Sequence, residues 1–144
     1  PPTLAEMTAR RDDVLAKQLP YLVAEDAGII IGFAYCNWFK ARPAYRYSAE
    51  DSIYLLPEAQ RRGLGRALLT ELAARAEAAG VRKLIAVIGD SANAGSIGLH
   101  RRVGFTQVGV LTSCGWKFDR WLDVVLMEKV LGAGNQCPPQ ALGV

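Results

Sequence analysis

Residues 52–67 read SIYLLPEAQRRGLGRA and contain the change of secondary structure on which the fold depends. An apolar, strand-like run ends at Pro57, and two glycines, Gly63 and Gly65, precede a helical repeat of leucine and alanine. The N–H groups at a helix N-terminus are unpaired and carry positive partial charge, so phosphate groups bind there. Glycine also lets a diphosphate approach the backbone closely. We therefore predict a strand, a phosphate-binding turn and a long helix.

Spacing alone leaves several interpretations of this turn open. A P-loop would place Lys and then Ser or Thr directly after its last glycine, whereas Arg66 and Ala67 stand here. A dinucleotide-binding turn would have a small residue where Leu68 stands, and an acidic residue after the next strand, for which Asp90 is a weak candidate. The remaining alternative is an ordinary helix start that happens to contain two glycines.

Periodicity and turn residues divide the rest of the chain into helices and strands. Helices are predicted over residues 4–16, 60–79 and 93–103, and strands over residues 21–24, 29–38, 51–56, 83–88, 105–111 and 121–130. Thr3 and Glu6 form a capping-box pattern at the start of the first helix. Residues 39–49 lack periodicity and are predicted to be a functional loop. This order predicts one α/β (α+β) domain over residues 1–131 and a loose tail over residues 132–144.

Composition excludes several classes of protein. The chain has 144 residues, of which 51% are hydrophobic and 22% charged, as expected for one compact domain. The net charge of +3 is too small to indicate a nucleic-acid partner. No apolar run reaches membrane-spanning length, and no secretory signal is visible, so no membrane partner is expected. Cys36, Cys114 and Cys137 form no CxxC pair, which predicts no metal site and a reducing, cytoplasmic location.

Two motifs carry a resemblance to a known superfamily. The spacing Gln60-x-x-Gly63-x-Gly65 resembles the coenzyme A pyrophosphate motif of the GNAT acetyltransferases. The segment 93–105, led by Asn93 and ending in Gly-Phe, resembles their second motif. Within the superfamily the chain is similar to the phosphinothricin and methionine sulfoximine acetyltransferases. That similarity rests on KARPAY (40–45), AEDSIY (49–54), AVIG (86–89) and GWKFDRW (115–121).

The resemblance implies a fold. It implies a mixed, mostly antiparallel central sheet with helices on both faces. Family members usually begin with another strand and helix before the segment that corresponds to residues 4–16. This sequence has no such pattern ahead of that segment, so either it is trimmed or those residues lie elsewhere. We therefore expect the sheet to lose an edge strand and one wall of the substrate site to be open. The resemblance also favours a homodimer.

The resemblance further implies a function. An acetyl-CoA-dependent N-acetyltransferase would move the acetyl group to the amine of a small amino-acid-like acceptor, by direct attack through a tetrahedral intermediate and without a metal. A backbone N–H near Leu55 would stabilise the oxyanion, because the family splays two strands apart there. The residues expected to bind the coenzyme are Leu55, Leu56, Gln60, Arg61, Arg62, Gly63, Leu64, Gly65, Arg66, Asn93 and Ser96.

Two residues are expected to handle protons. An amine with a pKa of about 10 is mostly protonated at neutral pH, so a base must accept its proton. The resemblance places a catalytic carboxylate at Glu50, and the alternative is a solvated glutamate or one paired with loop arginines. His100, the chain's one histidine, stands where many GNAT enzymes have a tyrosine that protonates the thiolate. The alternative for His100 is a structural role with a hydrogen bond.

The acceptor is expected to contact the loop that follows the second predicted strand. Lys40, Arg42 and Tyr45 stand there, and arginine binds carboxylate or phosphinate groups through two N–H bonds. Lys117 and Trp121 are expected to add to this wall from the last hairpin. The alternatives are a solvated charged loop and, for Trp121, a place in the core or in a dimer contact.

Other functions stay open from the sequence. A non-catalytic coenzyme-A-binding module would share the same turn, and a nicotinamide-binding domain would bind NAD instead. An acetyltransferase for a peptide N-terminus or a polyamine is also possible. A polyamine enzyme would need acidic residues in its acceptor loop, whereas Lys40, Arg42 and Arg46 favour an anionic acceptor.

Overall fold

The computed structural model describes residues 1–60 and 62–140. These residues form α1 (Leu4–Ala16), β1 (Tyr21–Asp26), β2 (Ile29–Trp38), β3 (Ser48–Leu55), α2 (Leu64–Ala78), β4 (Lys83–Gly89), α3 (Ala94–Arg102), β5 (Thr106–Lys117) and β6 (Arg120–Val130). The strands form one six-stranded sheet in the order β1-β2-β3-β4-β6-β5. β3 and β4 are parallel, and the other neighbours are antiparallel. The predicted mixed, mostly antiparallel sheet is confirmed.

Helices α2 and α3 cover one face of the sheet. Leu55 of β3 packs against Gly65 of α2, where an added Cβ would lie 3.2 Å from Leu55 Cδ1. Asp51 of β3 bonds His100 of α3, with 2.9 Å between Oδ2 and Nε2. Asp51 and Leu55 are four residues apart, so their side chains leave the strand on the same side.

Helix α1 covers the opposite face. Asn37 of β2 lies directly across from Glu50 of β3, which is adjacent to Asp51 and therefore points away from α2 and α3. The Asn37 side chain donates a hydrogen bond to Asp13 of α1, with 2.8 Å between Nδ2 and Oδ2. Lys17, the residue that caps α1, donates to Asn37 Oδ1 over 3.0 Å. The expectation of helices on both faces is confirmed.

Most of the hydrophobic core lies between α2 and the central strands, and Val14 of α1 adds to it from the opposite face. The predicted apolar stripe of α2 is buried at Leu68, Leu72 and Ala76. The largest apolar side chains that are fully buried are Leu69, Leu72, Leu84, Met127, Val14, Val81, Val125 and Cys36. Fully burying one such side chain contributes about 1.5–3 kcal/mol. No helix in the described part is both long and apolar enough to cross a membrane.

Capping determines where two of the helices begin. Thr3 and Glu6 form the predicted capping box, with Glu6 N donating to Thr3 Oγ1 over 3.2 Å and Thr3 N donating to Glu6 Oε2 over 2.6 Å. The second helix was predicted from residue 60, which is wrong, because α2 begins at Leu64. Gly63 precedes it with φ of 74°, a left-handed conformation that interrupts any helix running through this turn.

The loop after β2 is shorter than predicted. The prediction extended it over residues 39–49, but β3 already begins at Ser48. Phe39 N donates to Ser48 O over 3.0 Å, and Trp38 pairs with Ala49. Strand pairing with β2 therefore orders the end of this segment, and such pairing leaves no mark on local periodicity.

The last hairpin is longer than predicted. Its first strand was predicted to end at residue 111, but β5 continues to Lys117. Its second strand was predicted to begin at residue 121, and β6 begins at Arg120. A shift in strand register between Leu111 and Gly115 interrupts the pairing, and Ser113 adopts a φ of 52° there. The irregular segment contains Ser and Gly, which hides the strand from pattern recognition.

Residues 132–140 form turns and contain neither helix nor strand. Arg82 contacts this segment, donating from its guanidinium to the backbone oxygens of Gly134 over 2.6 Å and Pro138 over 3.2 Å. The looseness of the tail stays a prediction, and residues 141–144 lie outside the described residues.

Candidate active site

The sheet opens between its two central strands. β3 and β4 pair at Ser48–Lys83, Ala49–Leu84 and Glu50–Ile85 and not beyond, although both strands continue. Past these pairs β3 stays paired with β2, and β4 with β6. The two strands therefore diverge after Glu50, which is the separation that the family resemblance implied. We call this place the strand opening.

A cavity of about 810 Å³ lies beside the strand opening. β3, the turn before α2, the start of α2 and one face of α3 form its walls. It is lined by Ile53, Leu55, Gln60, Gly63, Gly65, Arg66, Asn93, Ala94, Gly95, Ser96, Gly98, Leu99 and Arg102. Seven of the residues predicted to bind a coenzyme are among them, namely Leu55, Gln60, Gly63, Gly65, Arg66, Asn93 and Ser96.

The turn before α2 has the features of an anion site. Gly63 is the N-cap and no side chain caps the helix, so the first N–H groups of α2 are available to a ligand at the cavity wall. Gly65 is buried where a side chain would crowd Leu55 and Leu99. The guanidinium groups of Arg66 and Arg102 add positive charge to the lining. This arrangement suits a diphosphate.

The other predicted residues of this turn have different surroundings. Leu64 is the first residue of α2 and is partly buried. Leu56 follows β3, and its N–H donates to Ile31 O over 2.9 Å. Arg62 is exposed and lies 3.7 Å from the Asp26 carboxylate. Arg61 lies outside the described residues.

Helix α3 presents a second N-terminus to the cavity. Asn93 caps the helix, and its Oδ1 accepts a hydrogen bond from Ser96 N over 3.2 Å. Sequence reasoning missed the further lining residues Gly95, Leu99 and Arg102. Their spacing could have indicated this role, because residues separated by four and then three positions lie on one face of a helix.

Glu50 stands at the strand opening. It is the last residue of β3 that pairs with β4, and it is half buried. Burial raises the pKa of the Glu50 carboxyl above its ordinary value, and the neighbouring Asp51 raises it further by a smaller amount. Among residues 1–60 and 62–140 no salt bridge engages this carboxylate, which argues against pairing with the loop arginines. The position and basicity suit a proton acceptor.

Sequence reasoning also missed Asn37, the cross-strand neighbour of Glu50. The two residues pair between β2 and β3, so their side chains leave the sheet side by side. Asp13 and Lys17 of α1 hold the Asn37 amide through hydrogen bonds of 2.8 and 3.0 Å. No local signal marks this position, because it depends on strand register.

His100 is buried on the side of α3 that faces β3, with 2% of its surface exposed. Its Nδ1 lies 2.7 Å from Ser96 O, and its Nε2 lies 2.9 Å from Asp51 Oδ2. Burial by itself lowers the pKa of His100, but the hydrogen bond and charge of Asp51 outweigh burial, so the net pKa is raised. Both ring nitrogens are engaged within the protein.

The residues predicted to bind the acceptor fall into two groups. Lys40 and Tyr45 are exposed neighbours, with 5.7 Å between Nζ and the ring centroid, and the exposed Arg42 caps the short 3₁₀ turn that contains Tyr45. This group follows β2 at the edge of the sheet where β3 begins. Lys117 and Trp121 lie near the turn of the β5–β6 hairpin. This turn lies beyond Gly89, the last residue of β4, and therefore at the opposite end of the strands from the loop after β2. Within a single chain the two groups of residues are therefore far apart along the strands and do not form one site.

In the described part of the chain no group of three or more His, Cys, Asp or Glu side chains is arranged to hold a metal ion.

Comparison with known proteins decides the family. Residues 2–105 match the model of the Acetyltransferase (GNAT) family. The chain belongs to this family. GNAT membership, which the motifs around Gly63 and Asn93 predicted, is thus confirmed, and so is the predicted enzyme class.

Individual GNAT proteins resemble the chain closely. Phosphinothricin N-acetyltransferase of Alcaligenes faecalis is 50% identical over 97% of this chain and 71% of that protein. L-methionine sulfoximine/L-methionine sulfone acetyltransferase of Pseudomonas aeruginosa is 38% identical over 96% of this chain and 80% of that protein. A GNAT phosphinothricin acetyltransferase from Sinorhizobium meliloti, solved in complex with AcCoA, has a TM-score of 0.94 and 46% identity, covering 100% of this chain and 77% of that one. The predicted similarity to both acetyltransferase groups is confirmed.

Proposed function

We propose that this GNAT protein transfers the acetyl group of acetyl-CoA to the amine of a small amino-acid-like acceptor that carries an anionic group. Phosphinothricin and methionine sulfoximine are the model acceptors, because the relatives at 50% and 38% identity are named for them. The observation that carries the proposal is the strand opening, which joins a half-buried carboxylate, Glu50, to a cavity with two helix N-termini.

The cavity fits the parts of acetyl-CoA. The α2 N-terminus and Arg66 suit its diphosphate, and the α3 N-terminus, which Asn93 caps, adds the positive end of a second helix to the same cavity. Ile53, Leu55 and Leu99 form an apolar wall for the pantetheine arm. The thioester supplies an activated acetyl group. We assign the oxyanion donor to a backbone N–H near Leu55, since β3 has no β4 partner there.

In this scheme Glu50 accepts the proton of the acceptor ammonium, directly or through water. The free amine attacks the thioester carbonyl carbon and forms the new C–N bond, which gives a tetrahedral intermediate with an oxyanion. The nitrogen then loses its second proton to water, the C–S bond breaks as the carbonyl re-forms, and coenzyme A leaves as a thiolate. The thiolate takes its proton from solvent, because both ring nitrogens of His100 are bound to Ser96 and Asp51. In this scheme solvent, and not His100, protonates the thiolate.

We place the anionic group of the acceptor at the loop that contains Lys40, Arg42 and Tyr45. These residues follow β2 at the end of the sheet where β3 begins, and Ser48, the first residue of β3, is two positions before Glu50. Arginine can hold a carboxylate or phosphinate through two N–H bonds.

We further propose that the enzyme acts as a homodimer. Trp116, Phe118 and Trp121 are 61%, 76% and 60% exposed around the end of the β5–β6 hairpin, and exposed apolar patches of this kind often mark protein–protein interfaces. Lys117 and Trp121 lie at the sheet edge away from Lys40, so a role for them at an acceptor site fits a site in the partner copy. The free thiols of Cys36, Cys114 and Cys137 support a cytoplasmic location.

The pH dependence of the reaction tests the base. Only ionised Glu50 can accept a proton, so kcat/KM falls as the pH drops through its pKa. Because burial raises that pKa, the acidic limb is expected above the ordinary glutamate value of about 4.3. A kcat/KM profile from pH 4 to pH 9 measures this limb. A profile that stays flat down to the ordinary glutamate pKa would contradict the assignment.

The function itself is tested by following release of the coenzyme A thiol with acetyl-CoA and a panel of amines. The panel holds phosphinothricin, methionine sulfoximine, unmodified amino acids, spermidine and a peptide. Turnover confined to the amino-acid-like acceptors is expected. Turnover with spermidine alone, or with the peptide alone, would show that the acceptor is a polyamine or a peptide and not an amino-acid-like molecule. Acetyl-CoA binding without turnover of any amine would favour a non-catalytic coenzyme-A-binding module, and binding of NAD instead of acetyl-CoA would favour a nicotinamide-binding domain.

A further inference from the structure

The contact between Asp51 and His100 holds a proton. Ser96 O is a carbonyl oxygen and can only accept a hydrogen bond, so His100 Nδ1, 2.7 Å away, carries a hydrogen. In a neutral imidazole Nε2 would then present a lone pair to the Asp51 carboxylate, 2.9 Å away. That contact is favourable only with a proton between the two atoms. One proton therefore lies between Nε2 and the Asp51 carboxyl oxygen, and it joins the two side chains by a hydrogen bond.

This hydrogen-bonded pair is almost completely enclosed. The His100 and Asp51 side chains are 2% and 3% exposed. The ring edge of Phe105 packs against the imidazole, with 4.9 Å between ring centroids. Burying such a pair gains little stability over apolar side chains, and its best-attested benefit is that it fixes one arrangement of the elements it joins. The pair joins α3 to β3.

The joined elements are opposite walls of the cavity. Asp51 is the first residue of β3 beyond the strand opening, and Ile53 and Leu55 of the same strand line the cavity. Ser96, whose carbonyl holds the His100 ring, lines the cavity from α3. Beyond Glu50, β3 has no partner on its β4 side, and the Asp51–His100 contact ties this part of β3 to α3.

We propose that His100 and Asp51 are positioning residues that fix the separation between β3 and the N-terminal turn of α3, and with it the shape of the acetyl-CoA cavity. The inference rests on the proposed function, because it concerns the same cavity. It assigns the pair to coenzyme binding and not to proton donation.

Three variants separate the two roles. His100→Ala and Asp51→Ala each remove the contact. Asp51→Asn keeps it, because the introduced amide N–H can donate to Nε2 of a neutral imidazole whose Nδ1 hydrogen still bonds Ser96 O. The same change removes the stored proton that an acid catalyst would need. Arg101→Ala, an exposed change on the same helix, is the matched control.

The measurements are the dissociation constant for acetyl-CoA, by calorimetry, and kcat with phosphinothricin. His100→Ala and Asp51→Ala are expected to weaken acetyl-CoA binding about tenfold or more, because the hydrogen bond that holds the two cavity walls together is lost. Asp51→Asn is expected to stay within about threefold of the unsubstituted protein in both quantities, and Arg101→Ala to change neither. If an alanine variant does not fold, as judged by thermal unfolding, Asp51→Asn decides alone.

Two results would overturn the positioning role. One is a large loss of kcat in Asp51→Asn with unchanged acetyl-CoA affinity, which would identify a proton donor. The other is unchanged affinity in both folded alanine variants. Failure of the unsubstituted protein to bind acetyl-CoA would instead refute the proposed function, so the two failures are distinguishable.

Discussion

Glu50→Gln is expected to lower kcat by a factor of about 10²–10⁴ and to leave the dissociation constant of acetyl-CoA unchanged. The amide has nearly the shape of the carboxylate but cannot accept the ammonium proton. Glu50 is not among the residues that line the cavity, so coenzyme binding does not depend on its charge. The measurements are the rate of thiol release with phosphinothricin and calorimetric titration with acetyl-CoA. The acidic limb of the pH profile is expected to vanish in the same variant.

A matched control is Glu71→Gln. Glu71 lies on the outer face of α2, where its carboxylate is exposed and bonds Arg75 over 2.9 Å. An exposed i,i+4 pair contributes about 0.3–0.5 kcal/mol, so this change is expected to leave kcat and acetyl-CoA affinity as they are. Equal turnover in Glu50→Gln and Glu71→Gln would show that another group, or water alone, takes the proton.

The part of the site that follows from local chemistry was predictable from the sequence. Gly63 and Gly65 stand between a strand pattern and a helix pattern, and a turn of that kind creates its anion site from its own backbone. Asn93 likewise predicts a helix N-terminus, and in the structure this N-terminus lies at the same cavity. Elements with clear periodicity, such as α1 and β2, were predicted with the bounds that the structure has.

The part that depends on contacts between distant residues was not predictable. Asp51 and His100 are separated by 49 positions, and nothing near either residue indicates the other. The end of the β3–β4 pairing at Glu50 depends on how two strands diverge in three dimensions. The resemblance could name His100 as a catalytic residue, but only the surroundings of its ring show that both nitrogens are used inside the protein.

Gly32→Ala is expected to destabilise the protein by about 1–3 kcal/mol, as overpacking of a well-packed site does. Gly32 lies directly opposite Leu55 in the β2–β3 pairing. An added Cβ would lie 2.5 Å from Leu55 Cδ2 and 2.7 Å from the backbone oxygen of Tyr54, both closer than van der Waals contact allows. Thermal unfolding measures the effect, and a fall in Tm of roughly 3–10 °C is expected for a domain of this size.

The matched control for this change is Gly109→Ala. Gly109 also lies in a strand, β5, but an added Cβ there would meet no atom within 4 Å, so stability is expected to change by less than about 0.5 kcal/mol. If Gly32→Ala were as stable as Gly109→Ala, β2 would be free to move away from β3, and the close approach at Gly32 would not constrain the sheet.

The change at Gly32 also reaches the active site, because Leu55 is both its cross-strand neighbour and a wall of the cavity. Leu55 Cδ1 already lies close to Gly65, so a displaced Leu55 side chain has little free space on that side, and acetyl-CoA affinity is expected to fall together with stability. Adding Leu55→Ala to Gly32→Ala removes the side-chain clash but not the clash with Tyr54 O, which belongs to the backbone. The double variant is therefore expected to lose less stability than the sum of the two single variants, and strict additivity would show that the Leu55 side chain does not limit the space at Gly32.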